Sequence, residues 1–485
     1  MSKQLKSDAF LKILTTQRNK SISQESKANK KIKLTDLPNK ILRIIAKKYK
    51  KILKYELRDW VKDLLPLRKI DNDFLSGNPN AIDFLKDNRR RINLHSLSAN
   101  TNPDAIEILK ANIDNENIDW QALSCNPDAM ELLKAKPNKI VWSYLCSNTN
   151  PEAIDMLRDK VENEENLSIK TYRQKHEFSQ RYINWNKLSS NPDAIEIIKF
   201  ALNEENKLKD EAQNVKQFLK VSWFSLCSNT NAIELLTVNK DKIDWEILSS
   251  NPKAIKLIIK KIDEDKDIEN SDYYRKLPPK YKIDWNALSK NPAIFIPLKE
   301  IGRSKTATVS RMLSSKISPK SKTTNTTTTT KTALLLDLPK DLQREIIKTY
   351  KDLVYVKNVL RNGIPMDKLN WNYLSENPNA IDLLRDRIDF EKSLLQDEYN
   401  RLPSKINWSS LCKNSDIGAI DLLKENYNKI DWSILSSNPN AINLLEDRVK
   451  YQLKIQEEGK LETVKRNDRI SWIGLSSNPA IFVPK

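Results

Sequence analysis

Residues 430 to 445 read IDWSILSSNPNAINLL, and the apolar positions in this stretch keep helical spacing. Trp432 and Leu435 stand three apart on one face, and a polar Ser-Ser-Asn follows. Ala441, Ile442, Leu444 and Leu445 then make one apolar stripe, with Asn440 and Asn443 pointing outward. The pattern predicts a short helix of about one and a half turns followed by a longer one. Start signals support both. The residue before the Trp position is Asp, Asn or Ser in eleven of twelve copies of the motif, Val141 being the exception, and such side chains cap exposed amides. Asn-Pro, as at Asn438-Pro439, precedes the second helix in ten copies.

The copies follow I-[DN]-W-x-x-L-S-x-N-P-x-A-I-x-L-L. The Trp position is held by Trp120, Trp142, Trp185, Trp223, Trp245, Trp285, Trp371, Trp408, Trp432 and Trp472, with Asn72 and Leu94 in the first two copies and only Trp60 outside the pattern. Within an array, copies lie 22 to 26 or 37 to 43 residues apart. The longer intervals carry Lys/Glu-rich inserts at 158–182, 199–220, 259–282, 386–404 and 446–469, which should lengthen the second helix and add a return loop. A two-helix unit of this size cannot bury its apolar stripe alone, so neighbours must stack. Burying a Leu or Ile is worth roughly 1.5–3 kcal/mol, which outweighs ordering entropy only when the next copy supplies the other wall. The indoles are expected in that packing as the structural repeat core, although aromatic rings also stack on bases. The fold class that follows is all-α: an α-solenoid of short helix-turn-helix repeats in two arrays joined by a flexible linker.

Two copies set the division into arrays. LSKNPAIFIPLK (288–299) and LSSNPAIFVPK (475–485) replace the long helix with Ala-Ile-Phe and then Pro297 or Pro484, so they read as caps with a non-stacking face. A Thr/Ser/Lys-rich tract lies between, and LLLDLPKDLQREIIKTYKDL (334–353) echoes KLTDLPNKILRIIAKKYKKI (33–52). The predicted plan is a basic disordered tail (1–33), a helical leader (34–70), an eight-copy array (71–300), a linker (303–333), a second leader (334–368) and a four-copy array (369–485).

Charge changes the picture only outside the repeats. The formal net charge is +19, and residues 1–33, 34–70 and 303–333 each carry +7, leaving the rest near −2. Lys27, Lys30, Lys31 and Lys33 in the tail are candidate phosphate contacts for non-specific nucleic-acid binding. The four cysteines are too scattered for a disulfide framework; Cys146, Cys227 and Cys412 replace the motif's Ser, and Cys125 lies one place further on. The two histidines, His95 and His176, have no metal or nucleophile partner nearby in sequence, and the six glycines are isolated, which removes phosphate loops, dinucleotide fingerprints and nucleophile elbows. No catalytic residue, metal or cofactor is expected. MSKQLKSDAFLKILTTQRNK lacks a signal peptide's apolar core, and no run approaches the roughly 18 apolar residues of a membrane span, so no membrane partner is expected.

The IDWxxLSxNPxAIxLL copies resemble tandem repeats of uncharacterised proteins from giant DNA viruses, the mimivirus and chlorella-virus relatives. That resemblance implies a viral origin, a helical repeat fold and residence in the host cell cytoplasm, with nucleus or virion as alternatives. The leaders, with Leu37, Pro38 and Ile41 and again Leu338, Pro339 and Leu342, resemble the start of an F-box, which implies docking on a Skp1-type adaptor of cullin ubiquitin ligases. An acidic residue two places after the Pro is usual there; Lys40 departs from it and Asp341 conforms. The expected function is a non-enzymatic protein–protein interaction scaffold with a host or viral protein partner, as a ubiquitin-ligase substrate receptor in its narrower form. The alternative is a basic virion- or genome-associated protein.

Overall fold

The computed structural model describes residues 54–65, 69–165, 182–211, 221–297 and 358–484. The chain divides into two compact units. In one of them the described residues are 381–403, which form a helix Ile381–Ser393 with an internal Arg387–Glu391 ion pair of 2.9 Å, then a short helix Gln396–Asn400. The other unit, residues 51–298, 357–380 and 404–485, holds the stacked repeats. The architecture is an α-solenoid of short helices; four three-residue strands are present among the described residues.

Each repeat begins where its sequence says it should. Asp431 accepts the Ile434 N–H and opens the helix Trp432–Leu435. Leu435 is fully buried, as are its counterparts Leu75, Leu97, Leu123, Leu188, Leu226, Leu288 and Leu411. The Asn-Pro signal differs in detail from the expected helix start. Asn438 caps a single 3-10 turn, Pro439–Ala441, which runs on into the α-helix Ile442–Glu457. In three copies two extra residues separate the motif Asn from the Ala-Ile pair of the second helix. In one of them Asn102-Pro103 opens the α-helix directly, two places after the motif Asn100. The inserts lengthen the second helix: Pro151–Glu165, Ile195–Glu211 and Ile442–Glu457 span 15, 17 and 16 residues.

The NPAIF segments, expected as non-stacking ends of separate arrays, do not end the stacking. Strand β1 (Tyr55–Leu57) pairs antiparallel with β4 (Phe482–Pro484), and β2 (Phe295–Pro297) pairs with β3 (Asn358–Leu360). The Pro stops the helix, as its missing N–H and fixed φ require, but the preceding Ile-Phe run is good strand sequence and meets a strand from the following half. The described parts of the two leaders supply those strands, where helix was expected. A tight turn at Gly363 follows β3 with φ +88°, and a Cβ there would meet Ile259 at 2.8 Å, so only glycine fits. Beyond both junctions the short helices continue to touch, first against last (Asn72–Gly77 on Trp472–Ser477) and eighth against ninth (Trp285–Lys290 on Trp371–Leu374). Within this unit the short helices and Asn turns of the twelve copies therefore form one uninterrupted circuit.

Candidate interaction surface

The circuit is held by a residue the motif repeats without exception. The sixth position after each Trp site is Asn in all twelve copies: Asn78, Asn100, Asn126, Asn148, Asn191, Asn229, Asn251, Asn291, Asn377, Asn414, Asn438 and Asn478. All are buried. The Oδ1 of each accepts the N–H two residues on, for example Asn231 N–H to Asn229 at 2.8 Å, while Nδ2 donates into the preceding repeat. Asn229 Nδ2 donates to the carbonyls of Ser189 and Asn191, both at 2.9 Å. The same pair of bonds joins the eighth copy to the ninth, through Asn377 to Ser289 (2.9 Å) and Asn291 (3.0 Å). It also joins the twelfth to the first, through Asn78 to Ser476 and Asn478, both at 3.2 Å.

A second row runs beside it. The Ser after each motif Leu takes the N–H of the next repeat's cap residue, as in Asp284 N–H to Ser249 Oγ at 3.0 Å and Asp71 N–H to Ser476 Oγ at 2.9 Å. Three copies use sulfur instead: Asn184 and Asp244 donate to Cys146 and Cys227, both at 3.3 Å, and Asp431 donates to Cys412. The cysteines are thus working members of the row. Burial pushes the Cys227 thiol up to about 11 and the Cys412 thiol up to about 12, against the opposing effect of the donated N–H. Half-buried Cys125 is also raised by burial.

Two consequences can be measured. At pH 8 a thiol reagent should label Cys125 in the folded protein and reach Cys146, Cys227 and Cys412 only after unfolding in urea. The folded state holds the neutral thiols beyond the unfolded value of about 8.5. That contribution to stability is complete below pH 8.5 and is lost as pH rises toward 11–12. The urea midpoint should therefore fall less between pH 8 and 10.5 in a Cys227→Ser, Cys412→Ser variant than in the parent.

With the polar frame used internally, the residue after each Trp site is left on an edge. Asp73, His95, Asn186, Phe224, Glu246, Asn286, Asn372 and Ile473 are exposed there. This edge is itself continuous between copies: Asn93 Nδ2 donates to Asp73 at 2.6 Å, Asn370 Nδ2 to Asn286 at 2.9 Å, and Ser409 Oγ to Asp431 at 3.1 Å. Phe224 and Ile473 are 59% and 51% exposed, large apolar side chains in an otherwise polar row.

The Trp sites lie behind that edge. Trp432 is buried at 2% exposure, and the other nine motif indoles are half-buried. Cations cover several of them. Lys69 lies 4.7 Å over Trp472 of the neighbouring copy, and Arg91 Nη1 donates to Asn72, the residue in the Trp position of the first copy, at 2.9 Å. Where the second helix is long, it supplies the cation itself: Lys160 over Trp142 (5.2 Å), Lys261 over Trp245 (5.6 Å) and Arg448 over Trp432 (4.9 Å). These long lysines and arginines bury their stems against the indole and keep the charge in water.

Between successive second helices, a lysine late in one pairs with an acid early in the next. Lys86–Asp104 and Lys134–Glu152, both at 2.6 Å, and Lys110–Glu131 are such pairs, worth little each because they are exposed. Leu37, Pro38, Ile41, Leu338, Pro339 and Leu342, and the tail lysines Lys27, Lys30, Lys31 and Lys33, lie outside the described residues. Among the described residues no group of His, Cys, Asp and Glu could hold a metal ion, and no helix is long and apolar enough to cross a membrane. No family model, curated protein or solved structure matches this chain.

Proposed function

We propose that this protein is a non-enzymatic interaction scaffold that binds a protein partner, host or viral, along the exposed edge of its short helices. The observation that supports this reading is the contrast between a frame that repeats residue for residue and an edge that does not. The buried Asn and Ser/Cys rows have the same chemistry in every copy, while the edge position presents acid, amide, imidazole, phenyl and sec-butyl groups in a fixed order. A rigid frame carrying varied side chains is suited to recognising one surface among many.

The test is affinity recovery with the full chain as bait, compared with a Phe224→Ser, Ile473→Ser variant. Both exposed sites tolerate polar residues, since sister copies carry Ser409 and Ser433 there. Proteins specifically held should fall at least tenfold with the variant while its circular dichroism is unchanged; equal recovery would remove this edge from the reading. The narrower proposal, a ubiquitin-ligase receptor, predicts co-recovery of a Skp1-type adaptor and its loss when Leu338 and Pro339 are changed to Ala. A second reading, nucleic-acid binding, rests on the concentration of the excess charge outside the repeats. It predicts DNA affinity that falls steeply with salt and drops when residues 1–33 are removed.

A further inference from the structure

The two junctions between the eight-copy and four-copy halves are chemically the same. After β1, Arg58 N–H donates to the Ile481 carbonyl at 2.9 Å and Arg58 Nε to Ala480 at 2.7 Å. After β3, Arg361 N–H donates to Ile294 at 2.8 Å and Arg361 Nε to Ala293 at 2.6 Å. Leu57 stands opposite Phe482, and Leu360 opposite Phe295. Asn80 Nδ2 reaches the Pro479 carbonyl as Asn379 Nδ2 reaches Pro292, each at 2.9 Å. The trailing segments differ only as Asn-Pro-Ala-Ile-Phe-Ile-Pro against Asn-Pro-Ala-Ile-Phe-Val-Pro. Each half thus carries one leading edge and one trailing edge of a common type.

We propose that these seams are interchangeable docking surfaces whose partner is a second copy of this chain. A leading edge from one copy closes on the trailing segment of another, with every bond of the seam reproduced. The partner is a second copy because the complementary surface, a short strand ending in Leu-Arg before a repeat and an Ala-Ile-Phe strand after one, is written twice in this sequence. Exchange costs no contact, so local concentration alone favours the seam within one chain, and crowding two copies together reverses that preference.

The experiment uses the full chain with a specific protease site inserted between residues 320 and 331. Two preparations are cleaved after folding, one tagged on the 1–320 side and the other isotope-labelled. They are mixed in urea below the unfolding transition and returned to buffer. Mass spectrometry of the tagged fraction should find labelled and unlabelled four-copy halves in statistical proportion, and an Arg58→Ala, Arg361→Ala variant should reach that proportion about tenfold faster. Uncut chain taken through the same cycle should give a dimer whose share grows with protein concentration. Retention of the original half after the cycle, halves that separate without re-pairing, or an uncut chain that stays monomeric at every concentration each overturn the proposal.

Discussion

Asn229→Leu should lower the stability of the repeat unit by about 3 kcal/mol or more, read as a shift in the urea midpoint at constant slope. The side chain is 1% exposed and makes three bonds: two carbonyls of the preceding repeat rely on its Nδ2, and the Asn231 amide relies on its Oδ1. Leucine has the same branching at Cγ and is larger, so no cavity opens. What remains is a set of buried polar groups without partners, each costing roughly 1–3 kcal/mol. Asn186→Ala, on the exposed edge, is the control and should stay within about 0.5 kcal/mol of the parent. A loss at Asn229 no larger than that at Asn186 would show that the row adds nothing to the stacking.

That row shows how far the sequence could be read. Its Asn was visible as a cap, because capping leaves a local signature: Asn, then Pro at the first turn. The two further bonds made by Nδ2 lie 38 and 40 residues away in the chain for Asn229, and no local pattern reports a donor's distant acceptor. A signal was nevertheless present. In Asn229-Thr-Asn-Ala and Asn414-Ser-Asp-Ile the Pro is missing and in Asn100-Thr-Asn-Pro it is displaced, yet the Asn stays at its place. A residue that persists when the turn it caps has changed has a second task. The short helices, their caps and the buried Leu were legible for the opposite reason, since each depends on residues within one turn.

The circuit was hidden by the feature that seemed to forbid it. Pro297 and Pro484 do stop their helices, and the inference that stacking stops with them is sound for arrays whose stacking contacts lie on the second helix. Here those contacts lie on the short helix and the Asn turn, which the NPAIF copies keep intact. The turn angle per copy decides whether eight and four copies close, and that angle comes from packing between helices rather than from any residue type. The candidate edge was missed for a related reason: one sequence shows which positions vary between copies, but exposure is needed to separate recognition from filler.

Phe482→Asp should do more damage than one side chain accounts for. Phe482 is 3% exposed, pairs with Leu57 and meets the Phe84 ring edge-on at 6.3 Å. Losing its burial costs about 3–5 kcal/mol, and a carboxylate cannot stay in that site, so β4 must leave β1. In an open array an end repeat detaches at the cost of one boundary, whereas in a closed circuit any repeat must break two. Opening the seam therefore creates two ends where there were none. Amide exchange should rise by at least tenfold in the first copy (69–92) and the twelfth (470–484), and least in copies far from the seam such as 221–248. Phe295→Asp should move that fastest exchange to the other seam, near 283–297 and 358–377. Uniform acceleration across all twelve copies in both variants would mean that the unit melts as a whole, and the idea of a circuit with separable boundaries would fail.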